Sequence, residues 1–482
     1  MHTDVVLTRG SCETDFVLPD DLSELRAHMV GIGGSGMCGL AAFMLRRGAA
    51  VSGSDARDGA ELAILRSAGA HVQAQGPTAT VPADATLVVR SAAIRDDHPE
   101  IRDARQRGLP VCKYAELLGA LMGRCEGVAI SGTHGKSTTT AWLAYVLRLA
   151  GRDPSFVVGA SVPQLGGGSG VGDGPHFIAE ACEYDRSFLN LHARRAAILN
   201  IEEDHLDCYQ NLAAITAAFG AFARRLPADG LLVVNGADPR CRQVAEQAAT
   251  RVVRYGVGPD ADWHATDLAV EQGRYGMTVW HGREALGRVL LGLAGRHNAA
   301  NALAVAALAH DCGVPWKLVA AGLADFSGVQ RRLELRGDVA GVRVVDDYAH
   351  HPTEICATLS AARERFSPRR LWCIFQPHQH SRTRFLLSQF AESFGAADEV
   401  VVPDIYFVRD SVREREAVCA ADLVARIRAR GQMAEYIPDF SGIVARVAAA
   451  VAPGDVVVTM GAGDVWKVAD ELLRRLRADL PG

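Results

Sequence analysis

Gly127-Val-Ala-Ile-Ser-Gly-Thr-His-Gly-Lys-Ser137 is the stretch on which the fold turns. Val128 to Ile130 read as a buried strand and Gly132 to Gly135 as a tight loop. Ser137 onward reads as a helix, with Trp142, Leu143, Val146 and Leu147 on its apolar side and Gly151 closing it. A strand that turns through glycines into a helix start aims backbone N–H groups and the positive end of the helix at one spot, which suits phosphate. Lys136 adds a mobile ammonium for a terminal phosphate, and Ser137 offers a hydroxyl to Mg²⁺. The common form of such a loop has a glycine six residues before the lysine, where this chain has Ile130, so the loop is two residues shorter. The alternative is a structural glycine turn with an incidental lysine. Lysine usage weighs against it: of 51 basic residues only Lys113, Lys136, Lys317 and Lys467 are lysine, so 47 are arginine. A chain that writes arginine almost everywhere, yet keeps lysine after the loop glycine, points to a site that needs a compact ammonium.

At 482 residues the chain is expected to form two or three domains. Hydrophobic residues at 49% and charged ones at 22% are ordinary for globular protein. A net charge of -5 and a pI near 6.4 argue against a nucleic-acid partner. No apolar run is long enough for a bilayer, and the N-terminal segment carries Asp4, Glu13, Asp15 and Asp20 rather than a basic then apolar signal. A cytoplasmic protein with no membrane partner is expected. Eleven cysteines without a Cys-x-x-Cys pair indicate neither a disulfide framework nor a zinc ribbon, and most are expected to be reduced and buried.

Short apolar runs alternate with helical ones: Ala27 to Ile32, Val128 to Ile130, Ala196 to Ile201, Leu231 to Asn235, Arg343 to Asp347, Leu371 to Gln376, Glu399 to Pro403 and Asp455 to Met460. This pattern predicts an α/β fold of parallel sheets covered by helices, in three domains. The first carries Gly31-Ile-Gly33-Gly34-Ser35-Gly36-Met37 at a strand-to-helix junction, then Ser52-Gly-Ser-Asp55, with Ser91 at a second strand end. That is a dinucleotide-type fingerprint, and it suits any nucleoside diphosphate. In the second, Glu180-Ala-Cys-Glu183-Tyr-Asp185 and Asn200-Ile-Glu-Glu-Asp204-His205-Leu-Asp207 follow apolar strands. Oxygen and nitrogen donors there suit Mg²⁺ or Mn²⁺ beside a triphosphate, although a lone acidic residue at a strand end is more often merely solvated. Gly295-Arg-His297-Asn298 opens an alanine-rich helix, either as a cap or as a contact for a nucleotide base. The third domain follows Arg331-Arg332 and carries Asp346-Asp347-Tyr348-Ala-His350-His351-Pro352-Thr-Glu354, then Phe375-Gln-Pro-His378-Gln379-His380-Ser-Arg382. Imidazoles and arginines crowded at two strand ends suit phosphate and carboxylate groups better than zinc, for which the spacing is wrong. Met460-Gly-Ala-Gly463-Asp464 is a further glycine turn.

In this order the motifs resemble the Mur ligase family, from about residue 27 to the C-terminus. The branch they resemble most is the one that adds L-alanine to UDP-N-acetylmuramate. The resemblance implies a Rossmann-like first domain for the UDP sugar (residues 26–125), a P-loop ATPase-like central domain for ATP (126–331) and a Rossmann-like third for the amino acid (332–482). Residues 1–25 stand outside as an extension. It implies that ATP phosphorylates the lactyl carboxylate and that the amine of L-alanine attacks the acyl phosphate, a step of peptidoglycan precursor synthesis. Gly33, Gly34, Ser35, Gly36, Met37, Asp55 and Ser91 would then meet the UDP sugar. Gly132, Thr133, His134, Gly135, Lys136, Ser137, Thr138, His297, Asn298, Arg332 and Asp347 would meet ATP. Ser137, Glu180 and His205 would bind metal, with two divalent ions, while Tyr348, His350, His378 and Arg382 would surround alanine and the acyl phosphate. Lys136, Glu180, His205, His350 and Arg382 are the expected catalytic set. Later ligases of the family carry a carbamoylated lysine in the central domain, and no lysine stands between Lys136 and Lys317 here.

Three positions depart from the family pattern. Ser137 replaces threonine and keeps the hydroxyl, Gln379 replaces an arginine, and Glu183-Tyr-Asp185 replaces Glu-Ser-Asp. The last is shared with the branch that attaches a whole tripeptide to the same UDP sugar, which is one rival reading. The other rival, an NAD-dependent oxidoreductase, is suggested by the Gly31 to Gly36 fingerprint and leaves Lys136, Glu180 and His205 unexplained.

Overall fold

The computed structural model describes residues 16–76, 79–205 and 208–479. Residues 1–15 of the expected extension, with Cys12, and Asp207 of the Asn200 motif lie outside the described residues. The chain divides into two compact units: residues up to Val234 with Asp238–Val253, and Asn235–Ala237 with the chain from Arg254 onward.

The first unit opens with β1 (Arg26–Val30), β2 (Ala50–Asp55), β3 (His71–Ala74), β4 (Leu87–Arg90) and β5 (Val111–Lys113), a parallel sheet in the order β3-β2-β1-β4-β5. The order reverses between β1 and β4, so the crevice of this doubly wound sheet lies where Gly31 and Ser91 follow their strands. A second sheet holds β6 (Glu126–Ser131), β7 (Ser155–Val157), β8 (Ser169–Gly170), β9 (His176–Ala181), β10 (Arg195–Ile198) and β11 (Leu231–Asn235). β6 lies between β9 and β10, parallel to both, and β11 flanks β10. Helix Lys136–Leu149 follows β6, and Trp142, Leu143, Val146 and Leu147 on it are fully buried. The two sheets share one apolar core. Phe43, on helix Ser35–Arg46, stacks on Phe177 of β9 at 5.0 Å, so the segments pack as one unit.

In the second unit, β12 (Arg251–Val257) straddles the boundary and pairs in parallel with β13 (Trp263–Glu271), which continues antiparallel into β14 (Arg274–His281) and β15 (Glu284–Leu290). This ribbon corrects the expectation of parallel sheets alone. Its turns are made at Gln272-Gly273, both at positive φ, and at Gly282, the glycine-bearing hairpin links that let adjacent strands fold straight back. The last sheet contains β16 (Glu334–Val339), β17 (Val342–Asp347), β18 (Leu371–Phe375), β19 (Glu399–Val402), β20 (Ala434–Tyr436) and β21 (Val456–Met460), in the order β16-β17-β21-β18-β19-β20. All but the edge strand β16 run parallel. Successive residues face opposite layers: Val345, Cys373 and Val458 pack with Leu359 and Phe390, while Val344, Trp372 and Val457 pack with Val468 and Leu472. Both faces are therefore apolar, which is why these strands read as unbroken hydrophobic runs.

Among the described cysteines none forms a disulfide, and five of ten are buried. Cys182, Cys208, Cys356 and Cys419 are exposed, a larger share than their small apolar character predicts.

Candidate functional site

The loop after β6 is held from its neighbours. Gly132 (φ 143°) passes so close to β10 that a Cβ would lie 3.0 Å from Leu199 Cβ and 3.2 Å from Asn200 N, and Gly135 (φ 83°) caps the helix in the left-handed region. Both need glycine. Asn200 clamps the turn: its carbonyl accepts from Thr133 N at 3.0 Å, its Oδ1 accepts from His134 N at 2.7 Å, and its Nδ2 donates to His134 O at 3.1 Å. Thr133 Oγ1 accepts from Glu202 N at 2.8 Å, so Thr133 ties β6 to the β10 loop. Ser137 stands in the first turn and the buried Thr138 follows it.

Lys136 Nζ donates to Gly132 O (2.6 Å) and Thr133 O (3.0 Å) and pairs with the Glu183 carboxylate, 2.9 Å from Oε2. Burial, the largest single influence, would pull the ammonium pKa down, but the charge and hydrogen bond of Glu183, with the charges of Cys182 and Glu180, together outweigh it and the pKa stands above the ordinary lysine value. Burial likewise pushes Glu183 up, and Lys136 and His205 together bring it below its usual value. His205 Nε2 lies 3.5 Å from Glu183 Oε1 and its ring meets Tyr184 edge-on at 5.2 Å. Tyr209 donates its hydroxyl to Glu183 O at 2.6 Å.

Glu180, expected to share an ion with Ser137, is near enough for its charge to help raise the Lys136 pKa. It lies on β9, where Oε1 accepts from Gly159 N at 2.5 Å, whereas Glu183, past the strand end, is the carboxylate beside Lys136 and His205. A strand side chain is directed by the sheet, whereas a residue in the turn beyond it can point back across the loop. Asn200 and Glu183 join the expected residues at the phosphate loop, though sequence reading did not count them among the site members. Their signal was present in the motifs, but only the pairing β9-β6-β10 brings them to one loop.

At the first sheet, Gly31 N and Ile32 N donate to Ser54 O (2.8 and 3.1 Å). A Cβ on Gly31 (φ 79°) would lie 3.1 Å from Ser91 Cβ, so the two predicted strand ends do meet. Asp55 accepts from Gly33 N at 2.8 Å and from Arg57 N at 3.0 Å. Its oxygens thus hold the glycine loop, rather than standing open toward a ribose. Gly34 and Ser35 are exposed at the helix start, and a Cβ on Gly36 would meet Tyr114 Oη at 2.7 Å. Met37, predicted as a substrate contact, is packed in the core because it already lies on the inward face of the helix.

In the second unit, Asn298 donates to Ala294 O at 2.7 Å, and His297 follows Gly295 (φ 91°) at the start of helix Arg296–Asp311. Arg331 is bound to Asp346 (2.8 Å), Gly461 O (2.7 Å) and Gly463 O (3.3 Å), joining the ends of β17 and β21, while Arg332 lies over the Tyr348 ring and 3.5 Å from Glu354. Asp347 accepts from Leu333 N and Ala349 N, both at 2.7 Å, and is almost fully buried. Burial, opposed by Arg332 and these N–H groups, pushes its carboxyl pKa up to about 6. Asp347 therefore shapes the loop that carries Tyr348.

Tyr348, His350, His378 and Arg382 come together. The Tyr348 and His350 rings lie edge to face at 5.4 Å, His350 and His378 at 6.3 Å, and Arg382 lies 3.5 Å from His378 Nδ1. Burial, then the charges of His350 and Arg382, push the His378 pKa down to about 3. Tyr406 stacks on His378 at 5.4 Å, and Asp410 accepts from Ser381 Oγ at 2.6 Å and from the backbone N–H of His380. No sequence signal marked these two, which arrive from the loop after β19. Gln379 occupies the turn with φ 69° and ψ 130°.

Known proteins resemble this chain in sequence and in fold. Three family profiles match in series: Mur ligase family, catalytic domain, over residues 26–125; Mur ligase middle domain over 130–309; and Mur ligase, glutamate ligase domain, over 331–463. A UDP-N-acetylmuramate--L-alanine ligase of Caldanaerobacter subterraneus is 40% identical over 93% of this chain and 97% of its own length. One of the same name from Acidothermus cellulolyticus is 43% identical over 94% and 95%. The crystal structure of a UDP-N-acetylmuramate-alanine ligase from Thermotoga maritima superposes with a TM-score of 0.77 at 27% identity, covering 95% of this chain and 100% of that one. A murein peptide ligase from Psychrobacter arcticus gives 0.67 at 26%, with 95% and 100% covered. Sequence likeness over nearly the whole length, with three family profiles matched in series, leaves one assignment: the chain belongs to the Mur ligase family.

Proposed function

We infer that this chain is an ATP-dependent ligase that joins L-alanine to UDP-N-acetylmuramate through an acyl phosphate, in peptidoglycan precursor synthesis. The relatives of that name, matched along almost their full length, support the substrate pair. The observation that carries the chemistry is the Lys136 ammonium, held at the phosphate loop by two carbonyls and Glu183. In this reading residues 26–125 receive the UDP sugar, 126–331 ATP and 332–482 the amino acid. A reaction that consumes ATP is consistent with a cytoplasmic location, and no described helix is long and apolar enough to cross a membrane.

The backbone N–H groups of the Gly132–Gly135 loop cradle the phosphates, and Lys136 turns from Glu183 toward the transferred group. Ser137, Glu183 and His205 fit a divalent ion, since a hydroxyl, a buried carboxylate and an imidazole offer the hard oxygen and nitrogen donors that Mg²⁺ or Mn²⁺ takes. Such an ion, or two of them, would neutralise charge between the γ-phosphate and the substrate carboxylate. Joining two anions calls for that neutralisation and for alignment, and no enzyme nucleophile is needed. Arg382 supplies a cation for the acyl phosphate. His378 stays neutral near pH 7, so it orients groups by hydrogen bonding and is too weak a base to take the proton of alanine.

Asp55 weakens the oxidoreductase alternative, because its oxygens are engaged by backbone N–H groups. A coupled assay for ADP release tests the proposal: L-alanine with UDP-N-acetylmuramate is expected to support turnover. Turnover with the tripeptide alone would assign the chain to the recycling branch.

A further inference from the structure

At the end of the central sheet opposite the phosphate loop, the first unit has a cavity of about 810 Å³ whose lining includes Arg47, Arg124, Arg194, Arg225 and His192. β6 begins at Glu126 beside it and ends at Ser131 before the loop, so roughly 17 Å of strand separates the two places. Parallel sheets of this kind bind ligands at the carboxyl ends of their strands, and this cavity lies at the amino ends of β6, β9 and β10. The reaction described above does not use it.

Among the described residues its positive charge is only partly compensated. The two acidic residues of the lining are already engaged, Asp173 by Arg46 at 2.6 Å and Glu126 by Arg195 at 2.6 Å. Arg194 closes on Asp229 at 2.7 Å and lies 3.6 Å from Glu126, and among the described residues Arg124 donates to the carbonyls of Leu18 (2.7 Å) and Asp20 (3.4 Å). Among the described residues the guanidinium groups of Arg47 and Arg225 form no ion pair or hydrogen bond, and Arg47 lies over the Phe43 ring at 5.2 Å. Arg225 and His192 are exposed, yet partial desolvation pushes the Arg225 pKa down, and desolvation with the charge of Arg225 lowers that of His192.

Arg47 and Arg225 cap the C-terminal ends of helices Ser35–Arg46 and Leu212–Arg224. Complementing the negative helix ends would account for a cation at each. It does not account for their convergence, with Arg124 and Arg194, on one cavity whose carboxylates are already taken. The volume lies within the roughly 300–1,000 Å³ of small-molecule pockets, and guanidinium forks match phosphate oxygens.

We propose that this cavity binds a small phosphorylated anion carrying at least two negative charges, at a site separate from the phosphate loop. The chemistry is shared by a bare polyphosphate and a nucleoside monophosphate, and two probes tell them apart. Inorganic pyrophosphate and AMP are titrated calorimetrically into the full-length protein saturated with ADP, which occupies the phosphate loop. One class of site is expected for at least one probe, and the tighter probe identifies the source. Arg47→Ser with Arg225→Ser should weaken it at least about ten-fold and leave ADP affinity within about two-fold. Arg47→Lys with Arg225→Lys, which keeps the charge, should weaken it less and guards against loss of fold. The proposal is overturned if neither probe binds the ADP-saturated protein, if the serine pair binds as tightly as the parent, or if citrate binds as tightly as both probes.

Discussion

Lys136 Nζ lies 2.9 Å from Glu183 Oε2, and His205 Nε2 lies 3.5 Å from the other oxygen of the same carboxylate. One buried anion thus joins the cation of the phosphate loop to the imidazole that follows β10. The pair holds Lys136 in place without ATP, and ATP must compete with Glu183 for it.

Removing that ammonium should stop the reaction. Lys136→Ala is expected to lower kcat by roughly a thousand-fold or more, as loss of a charge stabiliser in a phosphoryl-transfer site does. Calorimetric titration of UDP-N-acetylmuramate should be nearly unchanged, because the Gly31 to Gly36 loop belongs to a different sheet. Activity within a few-fold of the parent would contradict the role.

The two carboxylates of the β9 segment should separate in their metal dependence. Glu183→Gln is expected to raise the Mg²⁺ concentration for half-maximal rate by at least about ten-fold and to cut turnover by about a hundred-fold. Glu180→Gln keeps an oxygen for Gly159 N and should change both by less than about ten-fold. A metal titration in which Glu180→Gln is the worse variant would reverse the assignment.

His378 should give a visible pH signature. Its folded pKa, about 3, is far below the unperturbed 6.5, so the neutral ring contributes stability above pH 6.5 that is lost as pH falls toward 3. Proton NMR should show no titration of its ring between about pH 5 and pH 8. Denaturant unfolding should show that His378→Gln loses less stability than the parent between about pH 7 and pH 4.5. Parallel losses would sink the idea.

Gln379 combines φ 69° with ψ 130°, a conformation that glycine adopts far more readily than glutamine. Such strain costs about 1–3 kcal/mol, against about 0.5–1 kcal/mol for the extra freedom of an unfolded glycine. Gln379→Gly should therefore raise stability by about 1 kcal/mol, read as a higher thermal midpoint, while the KM for L-alanine increases. A lower midpoint would place the side chain's packing above the backbone strain.

The eight strand runs read from the sequence all form, because strands buried on both faces leave uninterrupted apolar segments that cannot be mistaken for surface. The ribbon from Trp263 to Leu290 escaped that reading: its exposed face interrupts the runs, with Thr266, Glu271 and Arg288 among apolar neighbours. The phosphate loop was legible because its function is local. Backbone N–H groups, two glycines and a lysine within a few residues make an anion site wherever they occur.

By itself, then, the sequence determined the parallel α/β architecture, the glycine loop after β6, the fingerprint after β1 and the crowding of histidines and arginines after β17 and β18. Only the tertiary structure decided that Glu183 and not Glu180 meets Lys136, that Asn200 clamps the loop, that Asp55 and Asp347 hold backbone and that Tyr406 covers His378. The reason is physical: hydrogen-bond donors in a loop are set by neighbours along the chain. Which carboxylate or ring reaches them depends on strand order and on the turn beyond each strand, and both are fixed by packing across the sheet.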